Sequence, residues 1–271
     1  MKCKVKTAVW RSSLSEISVS RVKIIFSLFL VTGCSDKYYQ DFLLSEITSD
    51  QSTYDGYLIE RSDGVYSLEG FSVRDSSFGI LLVHGYYPSS WPRKGYEWTK
   101  AILNLAECKR SIWWLKHNWN ECPEKSANRL DYAIDSLVRK NNHLDSLWII
   151  GHSLGGLIVS DIAEKWSHSF PLSVHAIAAP LSGSYERLNA CQTKGKTTYA
   201  ISPFVKYTQW RTDHKSDGAF KRLEMDPQDV FLDNGVQIQL PKTWKDNRLG
   251  HNRSIQYVIN FLIESLNPAL K

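Results

Sequence analysis

Leu147-Trp148-Ile149-Ile150-Gly151-His152-Ser153-Leu154-Gly155-Gly156 is the stretch that decides the fold. Its first four residues form a short, unbroken apolar run bounded by a glycine, which reads as a buried strand. Residues 157–166 continue with helical spacing. Between the two the chain turns sharply, with Ser153 at the apex. Gly151 and Gly155 suit that turn because it leaves no room for a Cβ beside the neighbouring strand and helix. A serine hydroxyl is a weak nucleophile that must be exposed and handed to a base, and the turn does the exposing. The following helix points its N-terminal amides and dipole at the same place, favouring negative charge that develops there. A bare Gly-x-Ser-x-Gly pattern is weak evidence. The strand before it and the amphipathic helix after it make it strong.

The same rhythm extends in both directions. Residues 79–83, 111–115, 174–179 and 207–211 predict further strands. Apolar residues recur at helical spacing at 98–106 and 130–138, and again over 255–266, where they close the chain. Short continuous apolar runs alternating with helices describe an α/β domain: a mostly parallel central sheet with helices on both faces. Residues 35–76 are rich in Tyr, Ser and Asp, with weak alternation at 57–60 and 65–73. They predict a tether followed by one or two antiparallel edge strands. The expected division is 1–33 as a leader, 34–76 as tether and edge strands, and 77–271 as the catalytic domain.

Upstream of the serine, His84-Gly85-Tyr86-Tyr87 closes the strand ending at Val83. Acyl transfer requires two preorganised N–H donors for the tetrahedral oxyanion, one donor commonly supplying about 3–4 kcal/mol. The backbone N–H of Leu154 is one expected donor. Tyr86 is the other, with Tyr87 as second choice, and Gly85 lets the loop approach. His84 is expected to pin this loop by hydrogen bonds and not to take part in the chemistry.

The order strand–His84-Gly85, Gly151-His152-Ser153-Leu154-Gly155-Gly156, acid, histidine resembles the α/β-hydrolase superfamily. Gly-His-Ser-Leu-Gly-Gly in particular looks like lipases and carboxylesterases. The resemblance spans roughly residues 78–266. It implies a base placed after the nucleophile, among His168, His175, His214 and His251. Of these, His251 lies in the loop just before the last helix, where the base of this fold belongs. The orienting acid should follow the strand at 207–211, so Asp213, Asp217 and Asp226 are all open. Asp217-Gly218-Ala219-Phe220 resembles the turn often found there in lipases and favours Asp217, while Asp213 also suits a turn cap. Residues 181–198, where a lid would be inserted, are too short and polar for a large amphipathic one, which argues against interfacial lipase action.

The activity implied is hydrolysis of carboxylic esters through an acyl-enzyme, on a small-molecule or lipid ester. The same machinery would serve acyl transfer or amide cleavage. A non-catalytic, membrane-tethered binding protein would be expected to lack a triad member, and every candidate member is present. A structural envelope lipoprotein would explain only the leader. Aromatic residues Tyr86, Tyr87, Trp91 and Trp210 hint at an apolar acyl site.

Arg21 and Lys23 precede the apolar run 24–31, which leads to Thr32-Gly33-Cys34. A charged segment, a short apolar core and a small-residue cleavage site describe an export signal too short to span a bilayer. A start nearer Val22 would give its basic segment an ordinary length. Val31-Thr32-Gly33-Cys34 resembles a bacterial lipobox, which implies lipidation at Cys34 and attachment to a membrane. Ser35 in the next position implies the outer membrane where the host has one. Six of the 33 Lys and Arg and one of the 28 Asp and Glu lie in residues 1–33, leaving 27 of each in the remainder. The net charge of +5 therefore belongs to the leader. With no clustered basic, aromatic-interleaved face, nucleic acid is not expected as a partner. No metal cluster, phosphate loop or nucleotide fingerprint occurs, so neither metal nor cofactor is expected. Cys108, Cys122 and Cys191 match no zinc pattern, and in an exported chain Cys108 could pair with Cys122.

Overall fold

The structure, a computed structural model, describes residues 39–43, 55–69, 77–87, 96–108 and 110–266. Cys34 and Trp91 lie outside these residues. The strands are β1 (Tyr39–Leu43), β2 (Gly64–Glu69), β3 (Phe78–Val83), β4 (Ser111–Lys116), β5 (Ser146–His152) and β6 (Leu172–Ile177). They are followed by β7 (Thr198–Ala200), β8 (Val205–Arg211), β9 (Phe231–Asp233), β10 (Val236–Gln239), β11 (Thr243–Trp244) and β12 (Asn247–Arg248). Eight of them make one sheet in the order β1-β2-β4-β3-β5-β6-β8-β10, while β7 with β9 and β11 with β12 form two small pairs. Only the β2–β4 pairing in the large sheet is antiparallel. With helices on both faces, this is the α/β-hydrolase fold expected from the sequence.

The side chains of each central strand alternate between two apolar layers, as the pleat requires. Leu81 and Val83 face one layer, with α3 (Pro123–Lys140) and α4 (Leu154–Lys165); its core includes Leu130, Ile134, Leu157 and Ile158. Ile80 and Leu82 face the other, built from α1 (Gly56–Ile59), α2 (Tyr96–Ala106) and α5 (Arg253–Leu266) through Leu58, Ile102, Ile255 and Ile259. Burial on both faces explains why β3, β4 and β5 appear in sequence as continuous apolar runs.

One expectation needs correction in the N-terminal part. Residues 57–60 do not extend as a strand; Gly56–Ile59 is a helical turn. The buried Asp55 sets it, its carbonyl accepting from the N–H groups of Leu58 and Ile59. The Asp55 carboxylate meanwhile accepts from the N–H and Oγ1–H of Thr99 at 2.8 and 2.7 Å. Strand β1 runs parallel to β2, so both run antiparallel to the six strands beyond them.

The cysteine expectation is also overturned. Cys122 pairs with Cys191, 69 residues away and 5.4 Å between Cα atoms, while Cys108 is free. Strand β4 separates Cys108 from Cys122 by its six residues, roughly 20 Å of extended chain, beyond the reach of a disulfide.

Candidate active site

Register places the site. Val83, Gly151, Ala176 and Gln209 lie in one row across β3, β5, β6 and β8. The loops leaving this row emerge together at the carboxyl edge of the sheet, the usual place for a ligand in open α/β sheets. Ser153 is the first residue past β5, with φ 54° and ψ −117°, and helix α4 begins at the next position. A non-glycine residue held at positive φ costs on the order of 1–3 kcal/mol. The surroundings hold it there: its N–H donates to the Ile177 carbonyl at 2.9 Å. Both flanking glycines are needed for close approach. A Cβ on Gly151 would lie 2.4 Å from the Gly155 carbonyl oxygen, and one on Gly155 would lie 2.3 Å from that of Val83.

His251 stands between β12 and α5, the last helix. Its Nδ1 meets Asp217 Oδ2 at 3.1 Å. Because the carboxylate accepts, Nδ1 carries the proton and Nε2 is left as the basic nitrogen. Asp217 is fully buried, with a carboxylate held on three sides. Thr212 Oγ1–H donates to Oδ2 at 2.5 Å and the Ala219 N–H donates to Oδ1 at 2.8 Å. Burial alone would raise the Asp217 pKa. The facing imidazole, its hydrogen bond and those from Thr212 and Ala219 outweigh that, and the carboxyl sits below its ordinary value.

The other two acids considered are engaged elsewhere. Asp213 accepts the Ser216 N–H at 2.9 Å as a turn cap, and Asp226 pairs with Arg211 at 2.9 Å. The other histidines are likewise elsewhere. His175 is buried between Trp148 and Trp210, His168 packs on Trp166, and His214 Nε2–H donates to the Phe220 carbonyl.

A cavity of about 690 Å³ opens over the turn, and Ser153, His251, Leu154, Tyr86 and Tyr87 all line it. The loop carrying Tyr86 reaches the serine because Gly85 lacks a side chain; a Cβ there would stand 3.0 Å from that of Ser153. His84 holds this loop from beneath. Its Nδ1–H donates to the Gly85 carbonyl at 2.7 Å and its Nε2 accepts the His117 N–H at 3.2 Å. His117 returns a bond from Nε2–H to the His84 carbonyl at 2.9 Å, with the two rings stacked. Burial pushes the His117 pKa down to about 4 and that of His84 well below its ordinary value, so the pair is neutral.

Several contributors lie beyond the sequence reading. His152 Nε2–H donates to the His251 carbonyl at 3.0 Å, tying the His251 loop to the serine turn. Gln228 cradles Thr212, its Oε1 accepting the Thr212 N–H at 2.9 Å and its Nε2–H donating to the Thr212 carbonyl at 3.0 Å. A polar residue directly after β8 was the available signal for Thr212; Gln228, 16 residues on, offers none. Trp210 is not part of the cavity, packing instead against His175 and Phe261. Residues 181–198 supply cavity wall through Tyr185, Arg187 and Leu188. The grouping of Cys122, Glu124 and Cys191 has ligand-type side chains, but its two sulfurs are joined to each other.

No family model matches the chain, and no curated protein does. Among solved structures it is similar to the esterase Pf2001 of Pyrococcus furiosus, with 13% identity over 72% of this chain and 82% of that one, at a TM-score of 0.46. It is also similar to Est1E from Butyrivibrio proteoclasticus, with 12% identity over 74% and 93% of the two chains and a TM-score of 0.45. A third is α/β hydrolase domain-containing protein 10 from mouse, with 13% identity, 76% and 94% coverage and a TM-score of 0.48. At such identities the site has to be understood from its own geometry.

Proposed function

We propose that this protein is a serine hydrolase that cleaves carboxylic esters through an acyl-enzyme. The observation that carries the proposal is the buried Asp217 bonded to His251 Nδ1, with His251 and a strained Ser153 lining one cavity. In the first half-reaction Ser153 Oγ attacks the ester carbonyl carbon while His251 Nε2 takes the hydroxyl proton. The backbone N–H groups of Leu154 and Tyr86 receive the oxyanion. Collapse breaks the bond to the alcohol, which leaves with the proton from His251. Water then attacks the acyl-enzyme by the same route, releasing the acid and restoring Ser153. Throughout, Asp217 keeps the imidazole in the required tautomer and balances the imidazolium that forms.

The test is turnover of p-nitrophenyl esters of graded acyl length by the purified protein, beside Ser153→Ala. The proposal expects turnover that the substitution reduces by roughly 10³-fold or more with the fold intact. A variant as active as its parent would remove Ser153 from the mechanism.

We further propose that the chain is exported and lipid-anchored through Cys34. The leader supports this, and so does the Cys122–Cys191 disulfide, a linkage that persists outside reducing compartments. Incorporation of labelled palmitate that disappears in Cys34→Ser is the expected result. Labelling that persists in that variant contradicts the anchor.

A further inference from the structure

The same cavity carries a charge pattern that ester hydrolysis alone does not require. Arg187, Arg222, Arg248 and Arg253 all line it with Ser153 and His251, and among the described residues no Asp or Glu does. They come from separate places: the short helix Glu186–Leu188, the turn after Asp217, strand β12 and the first position of α5. Three arginines elsewhere are matched by carboxylates, Arg129 by Glu121, Arg139 by Asp135, and Arg211 by Asp226 and Asp229. The acid nearest the chemistry, Asp217, is already held by His251, Thr212 and Ala219.

Two of the four are positioned by aromatic rings. The Arg187 guanidinium lies 4.0 Å from the Tyr86 ring centre and also donates to the Trp119 carbonyl. That of Arg253 lies 5.3 Å from the Trp244 ring centre, and its buried Nε has no acceptor among the described residues. Arg222 and Arg248 are solvent-exposed. Guanidinium groups remain charged at any working pH, so four around one cavity repel one another. A bound anion relieves that repulsion, and guanidinium donors match the oxygens of a carboxylate or phosphate.

We propose that the natural substrate is an ester bearing an anionic group, which the arginines around the cavity hold while Ser153 attacks the carbonyl. This rests on the serine-hydrolase proposal and adds the substrate's charge to it. The bond changes are unaltered: the Ser153 Oγ–acyl bond forms, the ester C–O bond breaks, and water completes hydrolysis. One product keeps the anionic group throughout.

The test uses two matched pairs of chromogenic esters. In one the leaving group is charged or neutral: 3-carboxy-4-nitrophenyl butyrate against its methyl ester. In the other the acyl group is: mono-4-nitrophenyl adipate against its methyl ester. The expected result is a kcat/KM at least about tenfold higher for the charged member of one pair, which locates the anion on the acyl or the alcohol side. That ratio should shrink at least about fivefold in Arg222→Gln/Arg248→Gln and fall as salt is raised from 0.05 to 0.5 M. An uncharged fluorophosphonate run in parallel reads Ser153 independently and reports whether the double variant is folded. Labelling of Ser153 with no preference in either pair overturns the anion inference and leaves the hydrolase standing. A preference undiminished in the double variant overturns its assignment to these arginines. Absence of both labelling and turnover overturns both proposals.

Discussion

The carboxylate of Asp217 accepts from His251 and Thr212 at Oδ2 and from Ala219 at Oδ1, and an amide has only one acceptor oxygen for these two places. An asparagine would offer His251 either a neutral oxygen, which balances no imidazolium, or an N–H₂ group, which selects the wrong tautomer. Asp217→Asn is therefore expected to lower kcat by roughly 10²–10⁴-fold, with KM changed much less, in a protein that still folds. A kcat within a few-fold of the parent's would show that His251 does not depend on this carboxylate. The sequence offered Asp217 through the resemblance of Asp217-Gly218-Ala219-Phe220 to a lipase turn, with Asp213 and Asp226 open beside it, and His251 through the place that the resembled fold gives its base. The four arginines were not legible there. They lie at positions 187 to 253 in segments with no shared periodicity, and only the folded chain brings them to one cavity.

At the scale of elements, the strand-to-helix step from β5 to α4 was the most legible part of the chain. A buried strand, a glycine-flanked turn and a helix each leave a local pattern, and here they are consecutive. The edges were less so. Strand β10 pairs with β8 although its side chains are mostly exposed, so no apolar rhythm announces it. The turn Gly56–Ile59 is held by Asp55 and Thr99, 44 residues apart, and its sequence resembles a strand. The disulfide depends on topology in the same way. It ties the start of α3 to the segment just after Arg187 and Leu188, so it braces one wall of the cavity. Closing a loop of 69 residues is worth about 4 kcal/mol in the chain-entropy account. Cys122→Ala/Cys191→Ala is expected to lose about 2–4 kcal/mol of unfolding free energy in urea titration, with a matching fall in melting temperature. An unchanged urea midpoint would mean that the wall is held without it.

For the whole molecule, the two apolar layers enclose histidines that the fold keeps neutral. His84, His117, His152 and His175 are all buried, and burial is the main cause that lowers each pKa, to about 4 for His117 and His175. An unfolded histidine titrates near 6.5, so between there and the folded value the unfolded chain binds more protons and stability drops as the pH is lowered. Asp217 has the opposite timing. Its depressed pKa gives stability that is present above about pH 4 and lost only as pH falls through the folded value. Acid weakening from pH 7 to 5 is therefore assigned to the histidines, on the order of 2 kcal/mol for each that stays neutral. Urea titrations at both pH values should show that loss, and His175→Phe should reduce it by one histidine's share. Equal stability at pH 7 and pH 5 would contradict the account. The central claim, that this fold exists to present Ser153 as a nucleophile, is tested most directly by fluorophosphonate labelling of the whole protein with peptide mapping of the adduct. The account predicts one adduct, on Ser153, absent from Ser153→Ala and slowed in His251→Ala. A folded protein that takes no label, or takes it at another serine, would contradict it.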